Sequence, residues 1–229
     1  MASSLILASF LPSCTVDDGE SMNLTDLSNA SQVAASNEHA EQGKPVVYQV
    51  FTRLFGNKNT TNKPWGTIDE NGVGKFSDFT DTALQGIKSL GVSHIWYTGV
   101  PHHALIGDYT KFGINNDDPD VVKGRAGSPY SVKDYYSVNP DLADNPAKRV
   151  EEFEALIART HQQGMKVIID IVPNHIARDY QSLGKPEGVR DFGADDDKTV
   201  EFSAGNDFYY VVGADFKVPK SNNGYAPLG

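Results

Sequence analysis

The ten residues from Lys166 to His175 constrain the fold of this chain more than any other segment. A run rich in valine and isoleucine carries Asp170 and ends in Asn174 and His175. Such a short run, preceded by a helical pattern and Gly164, is typical of a parallel strand buried on both faces. Because α/β folds bind ligands at the carboxyl ends of these strands, we predict chemistry at the three polar residues. The alternative is a structural strand exit, in which the Asp and Asn side chains bind turn amides and the histidine closes a pocket.

From residue 45 onward the chain alternates strand and helix patterns. Strands are predicted at residues 46–51, at residues 93–98 and from Lys166, and helices at residues 79–90 and between Asn145 and Gly164. The first helix has apolar residues at helical spacing, and the second begins with an Asn-Pro cap. Successive strand–helix–strand units build a parallel sheet with right-handed crossovers. The loop of roughly forty residues after the second strand is far longer than a usual connection, which indicates a functional loop.

The composition is that of a globular domain and argues against one class of partner. The chain has 229 residues, a hydrophobic fraction of 39% and a formal net charge of -10. No stripe of lysine and arginine is present to neutralise phosphates, so we predict no nucleic-acid partner. Aromatic residues that could stack on sugar rings are common, but they fit a hydrophobic core equally well.

The first 44 residues are predicted to lie outside the fold. The apolar stretch at residues 5–11 is too short to span a bilayer, and it leads to Cys14, the only cysteine of the chain. Residues 11–14 resemble a bacterial lipoprotein cleavage box. The acidic residues after the cysteine resemble the tethers of surface-exported lipoproteins in the Bacteroidetes.

These two resemblances to lipoproteins imply how the chain is exported and attached to the membrane. Residues 1–14 would be a lipoprotein-type signal, Cys14 the lipidated residue, and residues 15–44 a flexible linker. The protein would be a secreted lipoprotein of the bacterial outer membrane or cell surface, attached to the membrane through this lipid only. Residues 1–13 contain no lysine or arginine. Two alternatives therefore stay open: the true start lies upstream, or the cysteine is a free thiol.

Four segments in register carry a resemblance to a known family. They lie at residues 47–55, 94–98, 128–136 and 170–175. In these segments the chain is similar to the α-amylase family, glycoside hydrolase family 13, and most like its starch-degrading members from Bacteroidetes. The resemblance implies an α/β fold: the N-terminal part, about three β/α units, of a (β/α)8 TIM barrel. The barrel would begin at residues 45–175, and residues 176–229 would form a truncated, loop-rich inserted domain after strand three.

The resemblance also assigns roles to individual residues. Asp170 resembles the aspartate that supports the active site through a hydrogen-bonded arginine, and it is not the nucleophile. His175 and Tyr130 resemble the residues that hydrogen-bond and stack on the sugar before the scissile bond. Asn174 resembles a ligand of a structural Ca²⁺, for which an amide oxygen is a suitable donor. Pro129 stands where the family often has glycine.

Each of these roles has a structural alternative, and some polar residues receive no role. Tyr130 could pack as a loop aromatic, and Asp170 could be a buried hydrogen-bond acceptor. The adjacent histidines His102 and His103 are predicted to be solvated loop residues. A second calcium site is not predicted at the aspartates of residues 117–120, which are interpreted as a solvated acidic turn because the Gly and Glu of a calcium loop are missing.

The expected reaction needs residues that this chain does not supply. Retaining glycosidases use two carboxylates about 5–5.5 Å apart, as nucleophile and as general acid then base. In the resembled family they follow strands four and five, and a further aspartate follows strand seven; no such segment precedes Gly229. We therefore expect the N-terminal portion of an α-amylase-like hydrolase acting on α-glucans. Residues 45–229 alone are expected to be inactive and poorly soluble, because three strands leave sheet edges unpaired.

Three other functions remain open from the sequence. A transglycosylase or isomerase of the same family shares these first strands. A non-catalytic surface glycan-binding protein would need only the sugar-contacting residues. A doubly wound nucleotide-binding domain fits the strand and helix order, but the chain lacks a G-x-G-x-x-G or P-loop motif at a strand end.

Overall fold

The computed structural model describes residues 43–59 and 61–214. Cys14, the predicted signal and nearly all of the predicted linker lie outside these residues, and residues 43–46 have no regular secondary structure. The strands are β1 (Val47–Phe51), β2 (His94–Thr98), β3 (Pro101–His103), β4 (Val132–Val138) and β5 (Lys166–Ile169), and the α-helices are α1 (Ile68–Asn71), α2 (Asp81–Ser89) and α3 (Arg149–Gln162). Short 3-10 helices lie at Phe76–Asp78, Thr110–Phe112, Pro119–Val121, Pro140–Leu142 and Pro146–Lys148.

Three strands form the predicted parallel sheet. Their order is β1-β2-β5, and Ile95 of β2 pairs with Tyr48 on one side and Val167 on the other. The apolar helix faces pack on this sheet in one core that contains Phe79, Leu84 and Phe153. The prediction of successive β/α units is confirmed, and the described residues do not close a barrel.

The two helices begin close to their predicted starts. The hydroxyl of Thr80 accepts a hydrogen bond from the backbone N–H of Ala83 and caps α2. The predicted Asn145 cap is also present, but it caps the 3-10 turn of residues 146–148, and α3 starts only at Arg149. The difference is one turn of helix, a common ambiguity at a proline-containing start.

The long loop after β2 contains a second sheet that the sequence pattern did not predict. Strands β3 and β4 pair antiparallel, with His102 opposite Asp134. Strand β4 is hard to recognise because Lys133 and Asp134 are fully buried polar residues in its middle. They interrupt the apolar alternation by which a half-buried strand is identified.

The segment after the third parallel strand is loop-like, as predicted, since residues 176–214 contain neither helix nor strand. Its first part is tied to β4, because the backbone N–H groups of Ala177 and Gln181 donate to the carbonyl oxygens of Val132 and Lys133. The Asp134 carboxylate accepts from the N–H of Leu183 at 2.9 Å. The assignment of residues 176–229 as a separate inserted domain stays a prediction. Within the part of the chain that is described, the helices are too short or too polar to cross a membrane.

Candidate functional site

Asp170 joins the ends of two parallel strands. It follows β5 directly, its Oδ1 accepts a hydrogen bond from Nε1 of Trp96 at 2.9 Å, and its Oδ2 accepts one from the N–H of Gly99 at 3.3 Å. Trp96 lies in β2, and Gly99 is the first residue after its end. The carboxylate thus has a fixed orientation at the carboxyl end of the sheet, where the sequence predicted it. The arginine partner implied by the family resemblance stays a prediction.

The turn that carries Tyr130 lies at the same end of the sheet. Gly99 has φ +83°, and a Cβ built on it would lie 2.8 Å from the Phe51 ring and 3.5 Å from Cγ of Pro129. The end of β1, the end of β2 and the Pro129 turn therefore meet at this glycine, and a larger residue would push them apart. Tyr130 follows directly and is 50% exposed, so its ring is available to a ligand.

Asn174 and His175 form a hydrogen-bonded pair on the exposed side of the strand tip. Nδ2 of Asn174 donates to Nδ1 of His175 over 3.3 Å. In the tautomer that accepts this bond at Nδ1, the ring proton is on Nε2, which can then donate to a ligand. The amide oxygen of Asn174 is left free of this contact, as a calcium ligand requires. We refer to Tyr130, Asp170, Asn174 and His175 as the strand-tip cluster.

Tyr135 supports the strand-tip cluster, and the sequence did not predict this role. Its hydroxyl donates to the carbonyl oxygen of Val172 and lies 3.4 Å from that of His175. The ring packs against Tyr180 and Phe192, with centroids 6.0 and 6.1 Å away. Burial raises the pKa of Tyr135, so the hydroxyl keeps its proton and remains a donor. The available signal was its place in the Asp-Tyr-Tyr run of the third resembling segment.

Replacing Tyr135 by phenylalanine is expected to lower the free energy of unfolding of the full-length protein by about 1 kcal/mol, as measured by urea denaturation. The loss corresponds to the hydrogen bond from the Tyr135 hydroxyl that holds the backbone of residues 172–175. Tyr136→Phe is the matched control, because its hydroxyl has no hydrogen bond among the described residues. Equal free energies of unfolding for both variants would show that the Tyr135 hydroxyl does not hold this backbone.

The prediction that His102 and His103 are solvated loop residues is wrong. They belong to β3 and are 1% and 3% exposed. Burial lowers the pKa of His102 to about 3, and it also lowers the pKa of His103, so both are neutral near pH 7. Nε2 of His103 lies 3.0 Å from the carbonyl oxygen of Ala126 and holds that loop. These histidines are structural because the unpredicted β3–β4 pairing covers them.

The acidic turn is solvated only in part. Asp118 and Asp120 are exposed, as predicted, whereas the side chain of Asp117 is 6% exposed and its Oδ1 lies 2.8 Å from Nζ of Lys133. Nζ also donates to the carbonyl oxygen of Asn115 at 2.6 Å. Asp117 is therefore the buried partner of a buried lysine, and its interpretation as a solvated residue is corrected.

The described residues do not assemble a complete metal site. They contain no group of three or more His, Cys, Asp or Glu side chains placed to hold an ion. Asn174 has a single amide oxygen, whereas Ca²⁺ takes six to eight oxygen ligands. The remaining ligands would have to be carbonyl oxygens, water or residues outside the described ranges.

Parallel β/α units with polar side chains at the strand tips are typical of α/β domains that bind ligands at the carboxyl ends of their strands. The chain belongs to the α-amylase family: the family model described as alpha amylase, catalytic domain, matches residues 49–220. This membership confirms the resemblance to glycoside hydrolase family 13 and the predicted fold class.

Several known proteins are similar to this chain over part of their length. Trehalose-6-phosphate hydrolase from Bacillus subtilis (strain 168) is 28% identical, over 60% of this chain and 18% of its own length. Maltase 1 from Drosophila virilis is 26% identical, over 64% and 18%. Pullulanase A from Streptococcus pneumoniae is 31% identical, over 58% and 10%. The crystal structure of an α-amylase from Lactobacillus plantarum matches 59% of this chain and 24% of that one, with 32% identity and a TM-score of 0.39. The chain thus spans less than a quarter of the length of these relatives.

Proposed function

We propose that the full-length protein is a retaining glycoside hydrolase that acts on α-glucans such as starch and maltooligosaccharides. The observation that carries this proposal is the strand-tip cluster in a chain of the α-amylase family. The family match covers residues 49–220, and three of the similar proteins are a maltase, a pullulanase and a trehalose-6-phosphate hydrolase. The names of these relatives support an oligosaccharide of glucose as the first substrate to test.

Each residue of the strand-tip cluster would have a separate role in binding one glucose unit. Nε2–H of His175 would donate a hydrogen bond to a sugar hydroxyl, and the half-exposed ring of Tyr130 would stack on the sugar face. Asp170 would organise the end of the sheet through its two hydrogen bonds without touching the reacting bond. The two reacting carboxylates would come from later strands, and they would perform a double displacement through a glycosyl-enzyme intermediate.

His175→Ala in the full-length protein tests the function. We expect kcat/KM for maltohexaose to fall at least tenfold, while an exposed histidine outside the cluster, His161→Ala, leaves the rate unchanged. Analysis of the products separates the hydrolase from the alternatives: longer oligosaccharides would identify a transglycosylase, and an isomeric product an isomerase. Binding of maltohexaose with no product of any kind would identify a glycan-binding protein and refute the hydrolase.

Residues 45–229 expressed alone are expected to be inactive and poorly soluble. Ile168 and Ile169 of β5 are only partly buried, and Val47 of β1 is 46% exposed, so both outer strands keep apolar surface in contact with water. Size-exclusion chromatography and a thermal melt check this. A soluble monomer with a cooperative transition would contradict it.

Calcium binding is a further part of the proposal. The free amide oxygen of Asn174 supports it, together with the family resemblance of residues 170–175. We expect excess chelator to lower the melting temperature of the full-length protein by several degrees, and added Ca²⁺ to restore it. An unchanged melting temperature in excess chelator would contradict the proposal that the protein binds Ca²⁺.

Attachment to the membrane through Cys14 is also proposed, and it rests on the lipoprotein-like sequence of residues 11–14. Replacing this cysteine by serine is expected to move the protein from the membrane fraction to the soluble fraction of the bacterial cell. An unchanged distribution would favour the free-thiol alternative.

A further inference from the structure

A cavity of about 550 Å³ lies between the loop after β1 and the loop after β3. This volume is within the range of small-molecule sites. None of its lining residues belongs to the strand-tip cluster. Its lining includes Trp65 from the loop after β1, Tyr109 and Arg125 from the loop after β3, and the largely buried ion pair of Arg53 and Asp141.

The part of the lining that carries Trp65 is held in place by the short helix α1 and by side-chain hydrogen bonds around it. Nδ2 of Asn57 donates to the carbonyl oxygen of Asn71 at 2.9 Å, and Nδ2 of Asn59 donates to that of Glu70. The Asn71 side chain exchanges two further bonds with the backbone of Lys63, at 2.7 and 2.9 Å. These contacts fix residues 63–71 relative to one another before a ligand arrives, which lowers the entropic cost of binding.

Trp65 itself has an unusual backbone conformation. Its φ is +58°, in the left-handed region that bulky residues rarely adopt, and the side chain is 44% exposed. Such local strain persists only where surrounding contacts hold it, and it is concentrated at functional sites. Here the result is a large aromatic side chain in contact with solvent at the edge of a cavity. An exposed indole is a suitable surface for the apolar face of a sugar ring.

The charges around the cavity balance. Three cations line it, Arg53, Lys123 and Arg125, and so do three aspartates, Asp69, Asp108 and Asp141. The floor is neutralised internally, because NH1 of Arg53 lies 2.8 Å from Oδ2 of Asp141, whose Oδ1 accepts from the Tyr109 hydroxyl at 2.6 Å. Lys123 and Arg125 form no ion pair among the described residues. The net formal charge of the lining is zero, which favours a neutral polyhydroxylated ligand over a phosphate or a metal cation.

We propose that this cavity, which we call the Trp65 cavity, is a second sugar-binding site that holds glucosyl units of an α-glucan. The indole would stack on one sugar ring, and Arg125 and Asp69 would hydrogen-bond its hydroxyls. The choice of a neutral sugar rests on the cavity, whereas the choice of an α-glucan rests on the proposed function. The site would keep a polymeric substrate bound while the strand-tip cluster holds another part of the same chain.

Calorimetric titration of the full-length protein with maltohexaose tests this proposal. All variants in this experiment, and the reference protein, also carry His175→Ala, so that sugar binding at the strand-tip cluster is weakened equally in each. Trp65→Ala is expected to raise the Kd for maltohexaose about tenfold, and Trp65→Phe to restore most of the affinity. Tyr209→Ala is the matched control, because this aromatic residue is 78% exposed and does not line the cavity. Arg125→Ala provides a second variant with an intact loop backbone.

The outcomes separate the cavity from the strand-tip function. An unchanged Kd in both Trp65→Ala and Arg125→Ala, with unchanged melting temperatures, would overturn the proposal. Binding of inorganic phosphate that depends on Arg125, with no dependence of maltohexaose binding on Trp65, would also overturn it. Maltohexaose binding that depends on Trp65 in a protein with no hydrolytic activity would support the cavity and refute only the proposed hydrolase.

Discussion

Asp117→Asn is expected to lower the free energy of unfolding by about 3 kcal/mol, because it leaves a buried ammonium without its counter-charge. The Lys133 side chain is 0% exposed, and its other carboxylate neighbour, Asp179, is 3.8 Å away and half-exposed. Asparagine keeps an acceptor for the N–H of Leu105, which now donates to Oδ2 of Asp117 at 3.0 Å. The substitution therefore tests the charge and leaves the shape of the side chain intact.

Urea denaturation of the full-length protein measures this effect. Arg190→Ala is the control, since its ion pair with Asp195 is largely exposed and is expected to contribute little. Adding Lys133→Met to Asp117→Asn is expected to recover a large part of the loss, because no unpaired charge then remains in the interior. If Asp117→Asn alone lowers the free energy of unfolding no more than Arg190→Ala does, water or Asp179 must compensate the charge of Lys133.

Asp170→Ala is expected to reduce kcat/KM of the full-length protein for maltohexaose about a hundredfold. The change removes the acceptor of two hydrogen bonds, from the indole of Trp96 and from the N–H of Gly99. These bonds join β2 to β5 at the end where His175 and Tyr130 are held. Asp170→Asn keeps one acceptor oxygen and the same shape, so its rate is expected to lie between those of the wild type and the alanine variant.

The stability of the two Asp170 variants distinguishes an active-site role from a purely structural one. We expect the asparagine variant to melt within a few degrees of the wild type while its kcat falls far more than its KM changes. A rate loss that disappears when assays are run well below the melting temperature would assign Asp170 to the structural alternative. Gln49→Ala is the comparison variant, because the Gln49 amide donates to the hydroxyl of Thr98 at the end of β2, and Gln49 is not part of the strand-tip cluster.

The parallel sheet and its helices could be predicted because their signals are local. Apolar residues at helical spacing in residues 79–90 and the β-branched run from Lys166 are periodic over a few residues. Turn and cap residues such as Gly91 and Asn145 mark the ends. The same local signals predicted that Asp170, Asn174 and His175 follow a strand end. The direction of the strand decides which side chains lie at its tip.

The β3–β4 sheet and the polar contacts inside it could not be predicted in this way. His102 pairs with Asp134 across 32 residues of chain, and Lys133 meets Asp117 only after the intervening loop has folded back. A lysine in the middle of a strand is ordinarily a solvent-facing residue, and no local pattern indicates that its partner will be buried with it. The Tyr135 hydroxyl reaches Val172 for the same reason, through tertiary contact alone.

The amino-acid sequence by itself determined the order of the three parallel strands and their two connecting helices, the family, and the strand end at which polar residues gather. Each of these depends on short-range periodicity or on a continuous motif. Only the tertiary structure decided which polar residues are buried, what orients Asp170 and His175, and where the Trp65 cavity forms. Burial, hydrogen bonding and cavity shape depend on segments that are distant along the chain. A residue type alone cannot reveal which of those segments will meet it.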